Sequence, residues 1–218
     1  AARDVADPAG GSVLETWARD ADSLDLVVNK LGSGSDYTVF LNFLGLPVAD
    51  MSFSGPYGVY HSQYDNAYWM THFGDPGFRY MTTMADLWGR MALRLANAEI
   101  LPFDFSRYAV VVGRFLDELG TVPGVSDHLD LSAARTAQER WKQAAGNLDI
   151  ASRRSLETES KAGRDRLNRA LRAIEQAWLL PEGIPGRPWF RHALYAPKYT
   201  YAAMELPDAR VQMATLAL

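Results

Sequence analysis

The chain has 218 residues, a formal net charge of −4 and no cysteine, and these features exclude several classes of site. Without Cys there is no disulfide framework, thiolate zinc site or cysteine nucleophile. Its Lys and Arg residues form no block suited to a phosphate backbone, which argues against a nucleic-acid partner. No apolar run reaches the ~20 residues of a membrane span, so we expect a soluble chain.

Histidine is also scarce. The chain contains only His61, His72, His128 and His192. This supply argues against a site built from several imidazoles within the chain itself. Any catalysis would depend on these residues, carboxylates, hydroxyls or Lys.

The first third of the sequence is typical of mixed α/β structure. Ser12 is a candidate cap for a short helix through Ala18, and apolar residues 24–28 and 46–54 have the length of strands. A Gly- and Ser-rich turn at 32–36 precedes a helical pattern at 39–44. No Walker motif is present, so phosphate binding is not supported.

From Phe78 onward the apolar spacing changes to a helical period. The pattern predicts amphipathic helices over 78–98, 106–119 with Asp104 or Ser106 as cap, from about 132, and 157–180. Short connections between them favour an antiparallel bundle whose apolar stripes form a core. Residues 189–201 are irregular but aromatic-rich and should pack, whereas 209–218 again has helical spacing.

Several colinear segments resemble a known family. They are Leu-Gly-Ser-Gly-Ser-Asp-Tyr at 31–37, Tyr-His-Ser-Gln-Tyr-Asp at 60–65, Leu-Pro-Phe-Asp at 101–104, Tyr-Ala-Val-Val at 108–111, and Arg-Pro-Trp-Phe-Arg-His at 187–192 with Tyr-Ala-Pro at 195–197. Their order and spacing resemble the glutamate carboxypeptidase II and transferrin receptor group of M28 peptidases. The resemblance covers nearly the whole chain.

This resemblance implies an α/β peptidase-domain remnant followed by a mainly α, four-helix-bundle-like dimerisation domain. The remnant would comprise residues 1–99, and the dimerisation domain residues 100–218. The helices predicted from periodicity agree with the second assignment. The resemblance further implies a homodimer formed through the helical domain, and a secreted, periplasmic or ectodomain location.

The family uses two zinc ions, bridged by a carboxylate, and a Glu that activates water for attack on a peptide. By resemblance, His61 corresponds to one zinc ligand and Tyr60 to a hydroxyl that stabilises the oxyanion. Gly34, Ser35 and Tyr201 correspond to substrate-binding positions. The other ligands and the catalytic Glu would precede Ala1, so we expect this chain alone to be inactive.

The remaining histidines have simpler interpretations. We expect His72 to lie at the surface or in packing beside the Asp75 turn, His128 in a polar loop, and His192 in domain packing. None is spaced to replace the missing ligands.

The sequence departs from the glutamate-specific members at two places. Residues 48–52 supply no Arg where those members carry an arginine pair, and Asp50 would repel an acidic substrate. Their Lys-Tyr pair aligns best with Thr200-Tyr201, although a shift would select Lys198-Tyr199. A preference for C-terminal glutamate therefore does not follow.

Three functions remain open from the sequence. The first is the C-terminal portion of a dizinc peptidase, the second a non-catalytic transferrin receptor-like binding protein. The third, a free-standing helical interaction module, is disfavoured because a partial peptidase domain would expose strand edges.

Overall fold

A computed structural model describes residues 1–19, 31, 34–197 and the backbone of 203–205. These residues are mainly helical. The chain divides into two compact units: unit 1 contains residues 1–29 and 50–98, and unit 2 contains residues 30–49 and 99–218.

The described residues of unit 1 form three α-helices. They are α1 (Val13–Ala18), α2 (Ala67–Trp69), which continues as a π-helical turn (Met70–Gly74), and α3 (Arg79–Ala96), with a 3₁₀ turn at Ala2–Asp4. The predicted Ser12 cap is confirmed: Ser12 Oγ accepts from Glu15 N–H at 3.2 Å, and Glu15 Oε2 accepts from Ser12 N–H at 2.6 Å. This capping box satisfies two N–H groups that a helix start leaves unpaired.

The core of unit 1 is small. Val5, Val13 and Leu87 are buried together. Helix α3 is held at its start by the buried Asp75, whose carboxylate accepts from the N–H groups of Tyr80 at 3.1 Å and Met81 at 2.9 Å. The sequence predicts only a turn at Asp75, because the two N–H groups that its carboxylate accepts from lie five and six residues further along the chain.

Unit 2 contains the longer helical assembly. Its elements are a π-helical turn (Val39–Phe43), α4 (Phe105–Gly120), α5 (Val125–His128), α6 (Ser132–Thr158), α7 (Lys161–Gln176), β1 (Tyr195–Pro197) and β2 (Ala203–Glu205). Strands β1 and β2 pair antiparallel, with Tyr195 opposite Glu205.

Three helices of unit 2 share one core. Phe105 of α4, Ala145 of α6 and Leu171 of α7 are buried in one cluster. Polar caps define two of the helix starts: Asp104 accepts from Arg107 N–H at 2.9 Å, and Ser160 accepts from Gly163 N–H at 3.2 Å. The predicted cap at Asp104 is confirmed.

Residues 42–45 pack closely on the exit from α7. Gly45 has φ +61°, and a Cβ there would lie 3.0 Å from the Leu179 side chain and 3.1 Å from Gln176 Cα. Arg191 N–H also donates to the carbonyl of Asn42 at 2.8 Å. Glycine is therefore required at this approach by both conformation and space.

Several sequence-based predictions need correction. Four helices were predicted to form one bundle. Three of them lie in unit 2, whereas the first, α3, belongs to unit 1. The last helix begins at Lys161 rather than near 157, since α6 extends to Thr158. Residues 46–54 form no strand, because a strand requires a hydrogen-bonded neighbour and the described residues provide none.

Other predictions lie outside the described residues, namely the strand at 24–28 and the helix at 209–218. The described residues of 1–99 contain no sheet, so the α/β remnant stays a prediction. Within the described part of the chain, no helix combines the length and the apolar character needed to cross a membrane.

Candidate functional site

Tyr60 and His61 lie in a series of tight turns in unit 1. Their rings stack with centroids 3.9 Å apart and an interplanar angle of 20°. His61 has φ +60°, a left-handed conformation that is uncommon for a residue with a Cβ. Both side chains are exposed, Tyr60 to 61%. The turns thus present an imidazole and a phenol side by side at the surface of the unit.

Local hydrogen bonds define the backbone path after His61. Ser62 Oγ donates to the Val59 carbonyl at 2.6 Å and accepts from Tyr64 N–H at 3.2 Å. Asn66 Oδ1 then accepts from Trp69 N–H at 3.0 Å and caps α2. His61 therefore lies inside a turn that Ser62 closes back to Val59, and a helix cap at Asn66 follows this turn; both features are encoded locally.

A neutral imidazole is a suitable zinc ligand. Among the described residues, however, no three His, Asp or Glu side chains come together in a way that could hold a metal ion. These described residues therefore do not fit a complete dizinc centre.

The other candidate site residues are in unit 2. Gly34 has φ +95°, and Ser35 is exposed, with its carbonyl accepting from Thr38 N–H at 3.1 Å and from Thr38 Oγ1 at 2.8 Å. This geometry is a turn that begins a helix. Tyr201, like the alternative pair Lys198-Tyr199, lies outside the described residues.

The three remaining histidines differ in environment. His72 is exposed, stacked on Tyr68 at 4.0 Å, and its Nδ1 lies 2.8 Å from the Tyr68 carbonyl, which confirms the surface interpretation. His128 is exposed and lines an open cleft formed mainly by α5 and residues 129–131; it is the last residue of α5, so the prediction of a loop position was wrong. His192 is fully buried in unit 2, with Nε2 at 2.9 Å from Glu175 Oε1.

The pairing of Glu175 with His192 was missed by sequence reading. Glu175 lies on the apolar side of α7, and a charged residue there is the signal that could have suggested a buried partner. The same carboxylate lies 3.4 Å from the Tyr108 hydroxyl. Burial, followed by the nearby Glu175 charge, raises the pKa of Tyr108 well above its ordinary value.

Comparison with known proteins agrees with the helical architecture of unit 2. Residues 119–213 match the family model described as the transferrin receptor-like dimerisation domain. The matched region begins near the end of α4 and includes α6 and α7. Unit 2 thus contains the helices of a dimerisation-domain fold.

Longer matches cover unit 1 as well. The chain is 37% identical over 215 residues to a probable glutamate carboxypeptidase of Arabidopsis thaliana, covering 95% of the chain and 30% of the relative. An aminopeptidase of Rattus norvegicus is 29% identical over 86% of the chain and 28% of its own length. An inactive zinc metalloprotease of Schizosaccharomyces pombe is 25% identical over 79% of the chain and 24% of its own length.

The chain belongs to the transferrin receptor-like M28 peptidase family. It spans less than a third of the length of these curated relatives.

Proposed function

We propose that this chain is the C-terminal portion of an M28 zinc peptidase and acts within a longer protein. In this proposal His61 is one zinc ligand, and the other ligands and the catalytic Glu come from other parts of that protein. The observation that carries the proposal is the left-handed conformation of His61 within the Tyr-His segment. Unusual backbone conformations of this kind concentrate at functional sites.

Tyr60 is the proposed oxyanion donor. It adjoins His61, and its exposed phenol has an O–H group that can donate a hydrogen bond. Gly34, Ser35 and Tyr201 are the proposed substrate-binding residues, and the substrate class is a peptide. The relatives named glutamate carboxypeptidases and aminopeptidase support a peptidase but differ in the end of the substrate they attack.

Asp50 bears on specificity. It is exposed and stands in the segment that lacks the arginine pair of the glutamate-specific members. We therefore propose that the complete enzyme does not favour an acidic C-terminal residue, since a carboxylate repels another carboxylate.

Dimerisation is the second proposed role, with unit 2 as the pairing surface between two copies. The match of residues 119–213 to the dimerisation-domain model supports it. Sedimentation velocity of the chain should show a dimer, and a strict monomer at high concentration would contradict this role.

A non-catalytic, transferrin receptor-like binding protein is the alternative function. One relative is named an inactive zinc metalloprotease, so the family contains members without activity. Acquisition of two zinc ions and peptide cleavage by the full-length protein would exclude this alternative.

The test of the zinc-ligand role is His61→Ala in the full-length protein, with His72→Ala as the matched control. Both histidines are exposed in unit 1 and stacked on a tyrosine. His61→Ala should abolish peptidase activity and lower the zinc content while the oligomeric state is unchanged, whereas His72→Ala should keep both. Retained activity in His61→Ala would refute the assignment.

Zinc analysis of the 218-residue chain alone separates this proposal from a self-contained centre. We expect well below one tightly held ion per chain, because a single imidazole binds zinc weakly. A stoichiometric dizinc centre would overturn the proposal.

A further inference from the structure

The short π-helical turn Val39–Phe43 in unit 2 has apolar side chains on its outer side as well as its inner side. Leu41 and Asn42 are buried, at 3% and 0% exposure, whereas Val39 and Phe40 are 46% and 48% exposed. A helix with one side in water usually places polar residues on that side, and a helix that is apolar all round is usually buried. The outer side of this turn therefore has the composition of a covered surface.

The exposed apolar side chains continue into neighbouring parts of unit 2. Phe43 stacks on Trp189 with ring centroids 5.5 Å apart, which joins the turn to the segment after α7. The exposed large apolar residues of these two segments are here called the Phe40 patch, and they are Val39, Phe40, Leu44, Leu46 and Trp189. Single exposed apolar residues are ordinary, but a group of this kind commonly marks an interaction surface.

Backbone hydrogen bonds hold the Phe40 patch in place. Leu44 N–H donates to the Val39 carbonyl at 3.1 Å, and Leu46 N–H donates to the Phe40 carbonyl at 2.8 Å. Arg191 N–H donates to the Asn42 carbonyl at 2.8 Å and so ties the turn to the segment that carries Trp189. The patch is therefore a preformed surface, and a partner would bind it without first ordering this backbone.

Two observations identify what covers the patch. Residues 39–46 lie outside the match to the dimerisation-domain model, which covers 119–213, so a second copy of the chain is not the favoured occupant. The chain also spans less than a third of its curated relatives, so most of the sequence of such proteins lies outside these 218 residues. We propose that the Phe40 patch is the surface on which the remainder of the longer protein docks, through apolar side chains of its own.

Docking at this surface would bring the remainder next to proposed substrate-binding residues. The Ser35 carbonyl accepts from Thr38 N–H at 3.1 Å and Thr38 Oγ1 at 2.8 Å, directly before Val39. Gly34 and Ser35 thus stand at the start of the turn whose outer side is covered. This consequence rests on the proposed peptidase function, in which residues from the rest of the protein complete the site.

The first test is hydroxyl-radical footprinting, read by mass spectrometry, of the 218-residue chain and of the full-length protein. Side-chain oxidation follows exposed area, so the rates at Phe40 and Trp189 should be about fivefold lower in the full-length protein. Ile150, an exposed apolar residue of α6 in unit 2, is the internal control and should react equally in both proteins. Equal rates at Phe40 and Trp189 in the two proteins would overturn the inference.

The same experiment separates the remainder of the protein from a second copy. Pairing of two copies through the patch would protect Phe40 and Trp189 in the 218-residue chain as well, and dilution to monomer would remove that protection. This outcome would also overturn the inference.

The second test uses Phe40→Glu in the full-length protein, with Phe40→Leu and Ile150→Glu as matched controls. A carboxylate is costly to bury in an apolar contact, so Phe40→Glu should restore the oxidation rate of Trp189 to that of the 218-residue chain. Both controls should keep Trp189 protected, because Leu is still apolar and Ile150 lies outside the patch. Trp189 that stays protected in Phe40→Glu would contradict docking at this surface.

Peptide cleavage distinguishes this inference from the proposed function. Phe40→Glu should lower kcat/KM by about tenfold or more, since the substrate site would no longer be completed. A full-length protein that cleaves no peptide would refute the peptidase proposal, whereas the oxidation rates would still decide whether the patch is covered. An active enzyme with an unprotected patch would refute docking and leave the peptidase proposal intact.

Discussion

Among the described residues, unit 2 buries more of its apolar side chains than unit 1, although both units leave some of them exposed. In unit 2 the cluster of Phe105, Ala145 and Leu171 joins three helices. In unit 1, Tyr64, Tyr68 and Phe73 are each 65% exposed or more, and the core is small. The two units therefore differ in how far each satisfies its own apolar surface.

This difference corresponds to the division of proposed roles. The dimerisation-domain match covers α6 and α7, two of the three helices that share a core. The candidate zinc ligand His61 falls in segment 60–73, here called the aromatic segment, where Tyr60, Tyr64, Tyr68 and Phe73 are exposed. Contiguous exposed apolar surface on a protein commonly marks an interaction site. The free energy of unfolding of unit 2 should thus depend on its own core. In unit 1, substitutions along the aromatic segment should change the free energy of unfolding little, unless another surface covers this segment.

The largest expected effect is Phe105→Ala in the core of unit 2. Phe105 is 5% exposed and contacts Phe103 with ring centroids 5.5 Å apart. Loss of a buried aromatic ring leaves a cavity, and the free energy of unfolding should fall by about 3–5 kcal/mol. Urea unfolding followed by far-ultraviolet circular dichroism measures it. Val110→Ala, on an exposed position of the same helix, is the control, and equal losses would contradict a shared core.

Asp75→Ala should have an intermediate effect in unit 1. The change removes the carboxylate that accepts from Tyr80 and Met81 at the start of α3. Loss of a helix cap lowers the free energy of unfolding by about 1–2 kcal/mol. Hydrogen exchange should quicken at these two amides first. Asp75→Asn keeps an acceptor and should lower the free energy of unfolding less. Equal losses in the two variants would show that the charge or packing of Asp75 matters more than its acceptor role.

Tyr108 predicts a decline of stability at alkaline pH. Its pKa is raised in the folded state, so the folded chain retains a proton that the unfolded chain releases above the ordinary tyrosine pKa of 10.0. The stabilisation is complete below about pH 10 and should fall by about 1.4 kcal/mol for each further pH unit. Tyr108→Phe should remove this part of the decline in urea unfolding curves. An unchanged slope would mean that the phenol ionises equally in both states.

Tyr64→Ser should have the smallest effect. Tyr64 is 75% exposed, and substitutions at such positions change the free energy of unfolding by less than about 0.5 kcal/mol. Thermal unfolding of the 218-residue chain measures it. A loss above about 1 kcal/mol would show that the aromatic segment is covered, and would remove the contrast between the units.

Local signals predicted the helices well. Ser12 and Asp104 were identified as caps, and both accept hydrogen bonds at helix starts. The strand at 46–54 was wrong, because strand formation depends on a distant partner that local alternation does not reveal. The start of α7 was misplaced because the break at Glu159 and the Ser160 cap lie within a continuous polar pattern.

The candidate site was predictable only in part. His61 and its neighbour Tyr60 could be identified from the sequence, because the motif that contains them consists of contiguous residues. The pairing of Glu175 with His192 could not be found in this way, because the two residues are 17 positions apart and meet only when the segment after α7 returns.

Composition and periodicity established a helical second half, the absence of cysteine and a supply of only four histidines, because these properties depend on residue identity and local spacing. The three-dimensional packing established which helices share a core, that residues 30–49 join unit 2, and that one scarce histidine is buried against a carboxylate. These arrangements depend on the free energy of contacts between distant segments, which no local pattern encodes.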